Sequence, residues 1–281
     1  MSRTANLEPV HAPARPERVR LWVEIALVLG LSLGKSAVYS VVSLLDKLTR
    51  APLGEQTTSM NGSLNRRPGF DLTYQLLDVF FALVPVALAL YLLFALTGRN
   101  PFALLGFGVR RPNRSAGASI GYDAGTGFAL FLAMGVGTLG VYSAGRALGV
   151  TTAIVPANLD EHWWTIPVLL LSAIRHGVLE EVIVVGFLFH HLRRLGWGRG
   201  AWGPWSIILA SALLRGSYHL YQGIGPFLGN VAMGIVFGWF YQRGVERGQP
   251  RVMPLVVAHT LLDAAGFVGY ALLGSAIGIG T

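Results

Sequence analysis

Long apolar runs separated by polar segments organise this chain, falling at roughly 21–45, 72–97, 120–145, 165–190, 203–221, 227–242 and 252–272. Each is long enough, or nearly so, to cross a hydrocarbon core of about 30 Å as a helix of about 20 residues. The sixth run is the shortest and is rich in glycine and aromatics. The pattern predicts an all-α polytopic membrane protein with about seven transmembrane helices, within a range of about six to eight. It divides the chain into a cytoplasmic N-terminal tail at 1–20, an N-terminal transmembrane region of about three helices at 21–160, a core at 165–272 and a C-terminal tail at 273–281. The bundle that carries chemistry is expected to come from the last four helices.

Composition reinforces the membrane reading. Of 281 residues, 53% are hydrophobic and only 13% are charged, about half the charge of an ordinary soluble domain. The absence of cysteine excludes disulfides, thiolate metal sites, cysteine nucleophiles and cysteine-linked lipids. The first apolar run is too long for a signal-peptide core, so it is expected to remain as an anchor.

The net charge of +8 would suggest nucleic acid on a soluble protein. Here the cations sit in short loops, with no basic stripe interleaved with exposed aromatics, so no nucleic-acid partner is expected. One side of the membrane collects Arg3, Arg15, Arg18 and Arg20 before the first run, Arg99, Arg110, Arg111 and Arg114 after the second, Arg193, Arg194 and Arg199 after the fourth, and Arg243, Arg247 and Arg251 after the sixth. The other side holds Lys47, Arg50, Arg66, Arg67 and Arg146. That bias places the N-terminus in the cytoplasm and the C-terminus outside, in a multi-pass protein expected in the plasma membrane. Trp163 and Trp164 suit a membrane interface, and the pairs Gly121/Gly125 and Gly145/Gly149 have the small-xxx-small spacing that lets helices approach in lipid.

Ionisable residues inside the hydrocarbon are costly and each needs a partner. Lys35 and Asp78 lie at matching depths on antiparallel neighbours, which predicts a structural Lys35–Asp78 pair. The last four runs hold a denser population: Arg175, His176, Glu180 and Glu181 in one, Arg215 and His219 in the next, His259 and Asp263 in the last. A lone histidine in a helix is most often a packed core residue, but two histidines and three acids in consecutive spans point to a site. Adjacent acids within an apolar helix oppose each other's ionisation, and such an environment is where a general base is made. His259 and Asp263, four apart, share a helix face, and Arg215 and His219 are expected to do the same.

These residues resemble the CPBP family of CAAX proteases and bacteriocin-processing enzymes, which includes the type II CAAX prenyl endopeptidases. The family pattern is Glu-Glu-xxx-Arg, then Phe-xxx-His, then His-xxx-Asn or His-xxx-Asp, on separate helices. The chain offers Glu180-Glu181 ending at Val185, then Arg215-Gly-Ser-Tyr-His219, then His259-Thr-Leu-Leu-Asp263. The resemblance covers roughly 165–272. It implies an intramembrane endopeptidase acting on a peptide or protein substrate at the lipid bilayer. Glu180 would be the water-activating base, His219 its partner, and His259 and Asp263 the groups that bind a metal or stabilise the oxyanion. Glu181 reads more as an acid that tunes Glu180 without touching substrate. The cofactor stays open between a divalent metal such as zinc, on His219, His259 and Asp263, and none.

Two departures stand out. Val185 occupies the position of the family's Arg, and Arg215 the position of its Phe. Without a cation, Glu181 would be an unpaired acid in low dielectric. The expectation is an exchange, in which Arg215 supplies from the neighbouring helix the charge missing at Val185. Rival readings are a proton-coupled carrier, since membrane acids and histidines also form proton relays, and a non-catalytic scaffold on the same fold.

Overall fold

The computed structural model describes residues 14–107 and 115–273. Most of the N-terminal tail, Arg110, Arg111 and Arg114 of the basic loop, and nearly all of the C-terminal tail lie outside the described residues.

The first apolar run is two helices, α1 (Arg15–Gly30) and α2 (Leu33–Arg50), bent by 57° at the break between them. At the bend the Ser32 hydroxyl donates to the Val28 carbonyl at 2.6 Å, the local competition by which serine loosens a helix ladder. The second run is α3 (Pro68–Ala82) continued by α4 (Val84–Thr97). Pro85 brings no N–H to their junction, yet Leu83 keeps helical angles, and the pair acts as one 30-residue apolar helix. A short α5 (Pro101–Leu105) is capped by the Asn100 side chain, which accepts from the Phe102 and Ala103 amides. Ser115 caps the N-terminus of α6 (Ala116–Ala147) by accepting from the Ala118 amide. At 32 residues, α6 is about 48 Å long.

The acidic run is helical from Thr165 to Arg194 but not uniformly α. It reads α7 (Thr165–Glu180), a π-helical turn over Glu181–Phe187, then α8 (Leu188–Arg194). The remaining helices are α9 (Gly203–Ser217), α10 (Ile224–Glu246) and α11 (Met253–Leu273). Two three-residue strands, β1 (Thr57–Ser59) and β2 (Ala153–Val155), pair in parallel with Thr58 opposite Ile154 and tie two connecting loops together.

The protein is an all-α polytopic membrane protein. Among the described residues four helices have the length and hydropathy of a span, and five if the bent α1–α2 pair counts as one. The helix through the acids carries Arg175, Glu180 and Glu181, and α9 has only 15 residues. Each buries its polar side in the bundle and keeps large apolar side chains outward, Leu170, Leu171 and Ile174 on α7 and Trp205, Leu209 and Leu213 on α9. The π turn is the bundle's core: Val182, Ile183, Val184, Val185 and Phe187 are all buried. Large apolar side chains such as Phe80, Tyr91, Phe94 and Val136 face outward, as a lipid-exposed surface requires.

Close packing assembles the bundle, with α11 laid against both α6 and α7, and α10 against α9 and α6. The Gly121/Gly125 pair does not mediate this, because a Cβ at either position would meet nothing within 4 Å. Instead α6 meets α11 at Gly127, where an added Cβ would lie 2.6 Å from Val257. Gly145, by contrast, does pack closely, against Thr151 and Gly225. The Lys35–Asp78 pairing is also corrected. Asp78 is bound by Arg175 of α7, while Lys35 is exposed, 5.8 Å from the Tyr39 ring centroid. Matching depth placed both groups at one level of the membrane without fixing their direction around the bundle.

Candidate active site

Three helices bring the predicted residues together. Gly177 of α7 leaves room for α11 to approach, since a Cβ there would sit 2.6 Å from Thr260 Oγ1 and 3.1 Å from the Val256 carbonyl oxygen. One turn later on α7 come Glu180 and Glu181, at the junction with the π turn. A π turn displaces one residue from the α register and is a frequent mark of functional segments. Ser211 of α9 anchors this one, its hydroxyl donating to the Val184 carbonyl at 2.9 Å.

The adjacent acids are treated differently. Glu181 is wholly buried, and its Oε1 accepts from Arg215 Nη2 at 2.6 Å and from His259 Nδ1 at 2.7 Å. Glu180 is 6% exposed; its Oε2 accepts from the Tyr218 hydroxyl at 2.5 Å and from Arg215 Nη1 at 3.2 Å. Glu180 Oε1 has no hydrogen bond to the described residues. Arg215, fully buried, therefore bridges both carboxylates, with its guanidinium carbon 5.6 Å from the Phe237 ring centroid. Val185 is buried among apolar side chains. The cation that pairs with Glu181 does come from α9, as the exchange requires.

His219 departs from expectation. Helix α9 stops at Ser217, so Arg215 and His219 do not share a helix face. His219 lies in the turn that follows, between α9 and the short 3-10 segment Leu220–Gln222. Both its ring nitrogens are buried without a hydrogen-bond partner among the described residues. Asp263 is also engaged otherwise than expected. It bonds to His176, with Nδ1 3.1 Å from Oδ2, while His259 Nε2 is 3.8 Å away. Arg175 Nη2 donates to His176 Nε2 at 2.5 Å, so the proton of His176 belongs on Nδ1, facing Asp263.

Glu180, His219, His259 and Asp263 all line one cavity of about 730 Å³, together with Tyr218, His176 and Arg175. The opposite wall comes from α2 and α3, including Ser36, Tyr39, Asp78 and Phe81. Glu181 and Arg215 stand behind this lining. Reading motifs missed Tyr218 and His176. Tyr218 directly precedes the motif histidine, and His176 sits four residues before Glu180, one turn away on the same face; that spacing was the available signal.

Among the described residues no three His, Asp or Glu side chains are arranged to hold a metal ion. The proposed ligand set of His219, His259 and Asp263 is therefore not arranged as a metal site: His259 spends Nδ1 on Glu181 and Asp263 Oδ2 faces His176. The donors do not fit a zinc site as they stand.

Glu180, Glu181, Arg215, His219, His259 and Asp263 all fall within the segment for which a family correspondence exists. Residues 162–265 match the type II CAAX prenyl endopeptidase Rce1-like family. This is the family to which the motifs pointed. The matched segment begins just before α7 and ends within α11, so it contains α7, the whole π turn, α9 and the part of α11 that carries His259 and Asp263. No curated protein and no solved structure matches the chain.

Proposed function

We propose that the protein is a membrane-embedded endopeptidase of CAAX-protease type in which Glu180 activates the attacking water. The observation that carries the reading is the asymmetry of the two acids. Glu181 is sealed and neutralised by Arg215 and His259, whereas Glu180 reaches the cavity with Oε2 held and Oε1 without a hydrogen bond among the described residues. Glu180 Oε1 takes a proton from water, and the hydroxide adds to the carbonyl carbon of the scissile amide. The developing oxyanion is met by donors on the cavity wall, with His219 the free candidate and Tyr218 and His259 beside Glu180. As the carbon–nitrogen bond breaks, the proton held by Glu180 passes to the departing amine. Glu181 and Arg215 position the base and do not touch substrate.

In this reading residues 165–272 form the catalytic core and the N-terminal helices build the facing wall of the cleft. The loop cations favour a cytoplasmic N-terminus, in a multi-pass protein that this reading places in the plasma membrane. The substrate is a peptide or protein at the bilayer that fits a cleft of about 730 Å³.

The test compares cells expressing wild type or Glu180→Gln at matched levels, with peptide termini mapped by mass spectrometry. The expected result is a set of termini present with wild type and absent with the variant, which would also name substrates. Identical maps, with both proteins inserted and folded, would remove the protease reading.

A further inference from the structure

On the membrane face away from β1 and β2 lies a second cavity, of about 360 Å³. It sits between the last turns of α10, the connection to α11 and the start of α6, and its lining includes Trp239, Arg243, Arg247, Tyr122, Gln249 and Arg251. No part of it belongs to the cleft above Glu180.

Its cations fall into two kinds. Arg251 is a wall residue, bound to Asp123 of α6 through Nε at 2.6 Å and through a second bond from Nη2. Arg243 and Arg247 are exposed and four residues apart, so they project to the same side. The only carboxylate near Arg243 among the described residues is Glu246, at 3.9 Å and on the surface, a pairing worth little. Arg247 pairs with no carboxylate among the described residues. The backbone around them is built, not loose. The Gln249 amide donates to the Gly244 carbonyl at 2.8 Å, the Gly248 amide to Val245 at 2.9 Å and the Val252 amide to Leu105 at 2.8 Å.

Below the arginines the surface turns apolar. Arg243 stands over the Trp239 ring, 5.3 Å from its centroid, and Trp239 is itself 44% exposed, as suits the headgroup level of a bilayer. Leu228, eleven residues earlier and so on the same side of the helix, is also exposed. A concave cationic mouth above a tryptophan and an apolar track matches a molecule with an anionic head and a hydrocarbon tail. Free phosphate would use only the mouth.

We propose that this cavity binds the headgroup of an anionic phospholipid, with Arg243 and Arg247 as phosphate ligands and the acyl chain along Trp239 and Leu228. The test is native mass spectrometry of the purified full chain with phosphatidylglycerol or phosphatidylcholine of identical acyl chains. Two surface-level cations correspond to roughly 10- to 30-fold preference for the anionic lipid. The Arg243→Gln/Arg247→Gln pair should bring that ratio close to one, and each single variant should lose part of it, which keeps the result readable if the double variant is unstable. The Arg18→Gln/Arg99→Gln pair, which removes as much charge from exposed positions outside the cavity, should leave the ratio unchanged. Three results would overturn the proposal: an undiminished ratio in the cavity variants, an equal loss in the Arg18/Arg99 control, or displacement of the lipid by millimolar inorganic phosphate.

Discussion

Arg215 is the residue on which the site turns, because it is the shared cation of two buried carboxylates. Removing one member of a buried ion pair costs about 3–5 kcal/mol, since it strands the other charge. Here Arg215→Phe strands Glu181, whose second oxygen Oε2 already lacks a hydrogen bond among the described residues. The variant is expected to be less stable by that margin, and so to melt earlier, and to lose activity by at least about 100-fold, the scale of losing a fixed electrostatic donor. Adding Val185→Arg should recover part of both, as returning the cation to the helix of Glu181 would. Thermal melts and the terminus assay on the single and double variants check this; a folded double variant with no recovery would sink the exchange. Glu180, Glu181, Arg215 and His259 were legible in the sequence because each is an expensive group in hydrocarbon. Tyr218 and His176 were harder to see. A tyrosine is cheap at a membrane site, and His176 was visible only as part of a charged cluster until Arg175 and Asp263 were placed around it.

The seven apolar runs agree closely with the helices, since hydrophobic length is a property of composition and survives local irregularity. Breaks within a run do not change composition. The bend at Leu31–Ser32, the π turn at Glu181–Phe187 and the end of α9 at Ser217 were therefore invisible to it. The last of these matters most, because it moves His219 from a helix face to a turn that other elements must hold. Helix α2 does much of this: Ser40 Oγ accepts from the Tyr221 amide at 2.7 Å, and Lys47 Nζ donates to the Tyr221 carbonyl at 2.8 Å. Thr152 holds the next peptide, donating through its hydroxyl to the Gln222 carbonyl at 3.1 Å. Both clamps from α2 thus grip one residue two positions beyond His219. Ser40→Ala and Lys47→Met should each cost about 1–3 kcal/mol of local hydrogen bonding. Turnover is expected to fall by about tenfold per clamp at that cost, while Lys47→Arg, which keeps a cationic donor, should retain most of it. Wild-type turnover in Ser40→Ala, in Lys47→Met and in the two combined would show that His219 is held without α2.

At the scale of the whole molecule, one side of the bundle gathers the ends of several helices through specific bonds. Arg194 of α8 binds Glu17 in the first turn of α1 at 2.8 Å, Arg193 binds Gln242 near the end of α10, and the Val252 amide binds Leu105 of α5. Among the described residues, Arg193, Arg194 and Arg243 of the cations assigned to the cytoplasm by charge bias therefore share a face with the start of α1, with Lys47, Arg146 and the β1–β2 pair at the other end. The absolute direction can be read by exploiting the lack of cysteine, which makes any introduced thiol unique. Arg66 and Arg99 are both exposed and lie just outside the ends of Pro68–Thr97, a helix of 30 residues and so about 45 Å long. A membrane-impermeant maleimide applied to intact cells should label Arg66→Cys and spare Arg99→Cys until the cells are opened. The converse pattern would invert the topology and turn the cavity at Arg243 and Arg247 to the outer leaflet. Labelling of both in intact cells would mean that Pro68–Thr97 does not cross, leaving the facing wall of the Glu180 cleft at the bilayer surface.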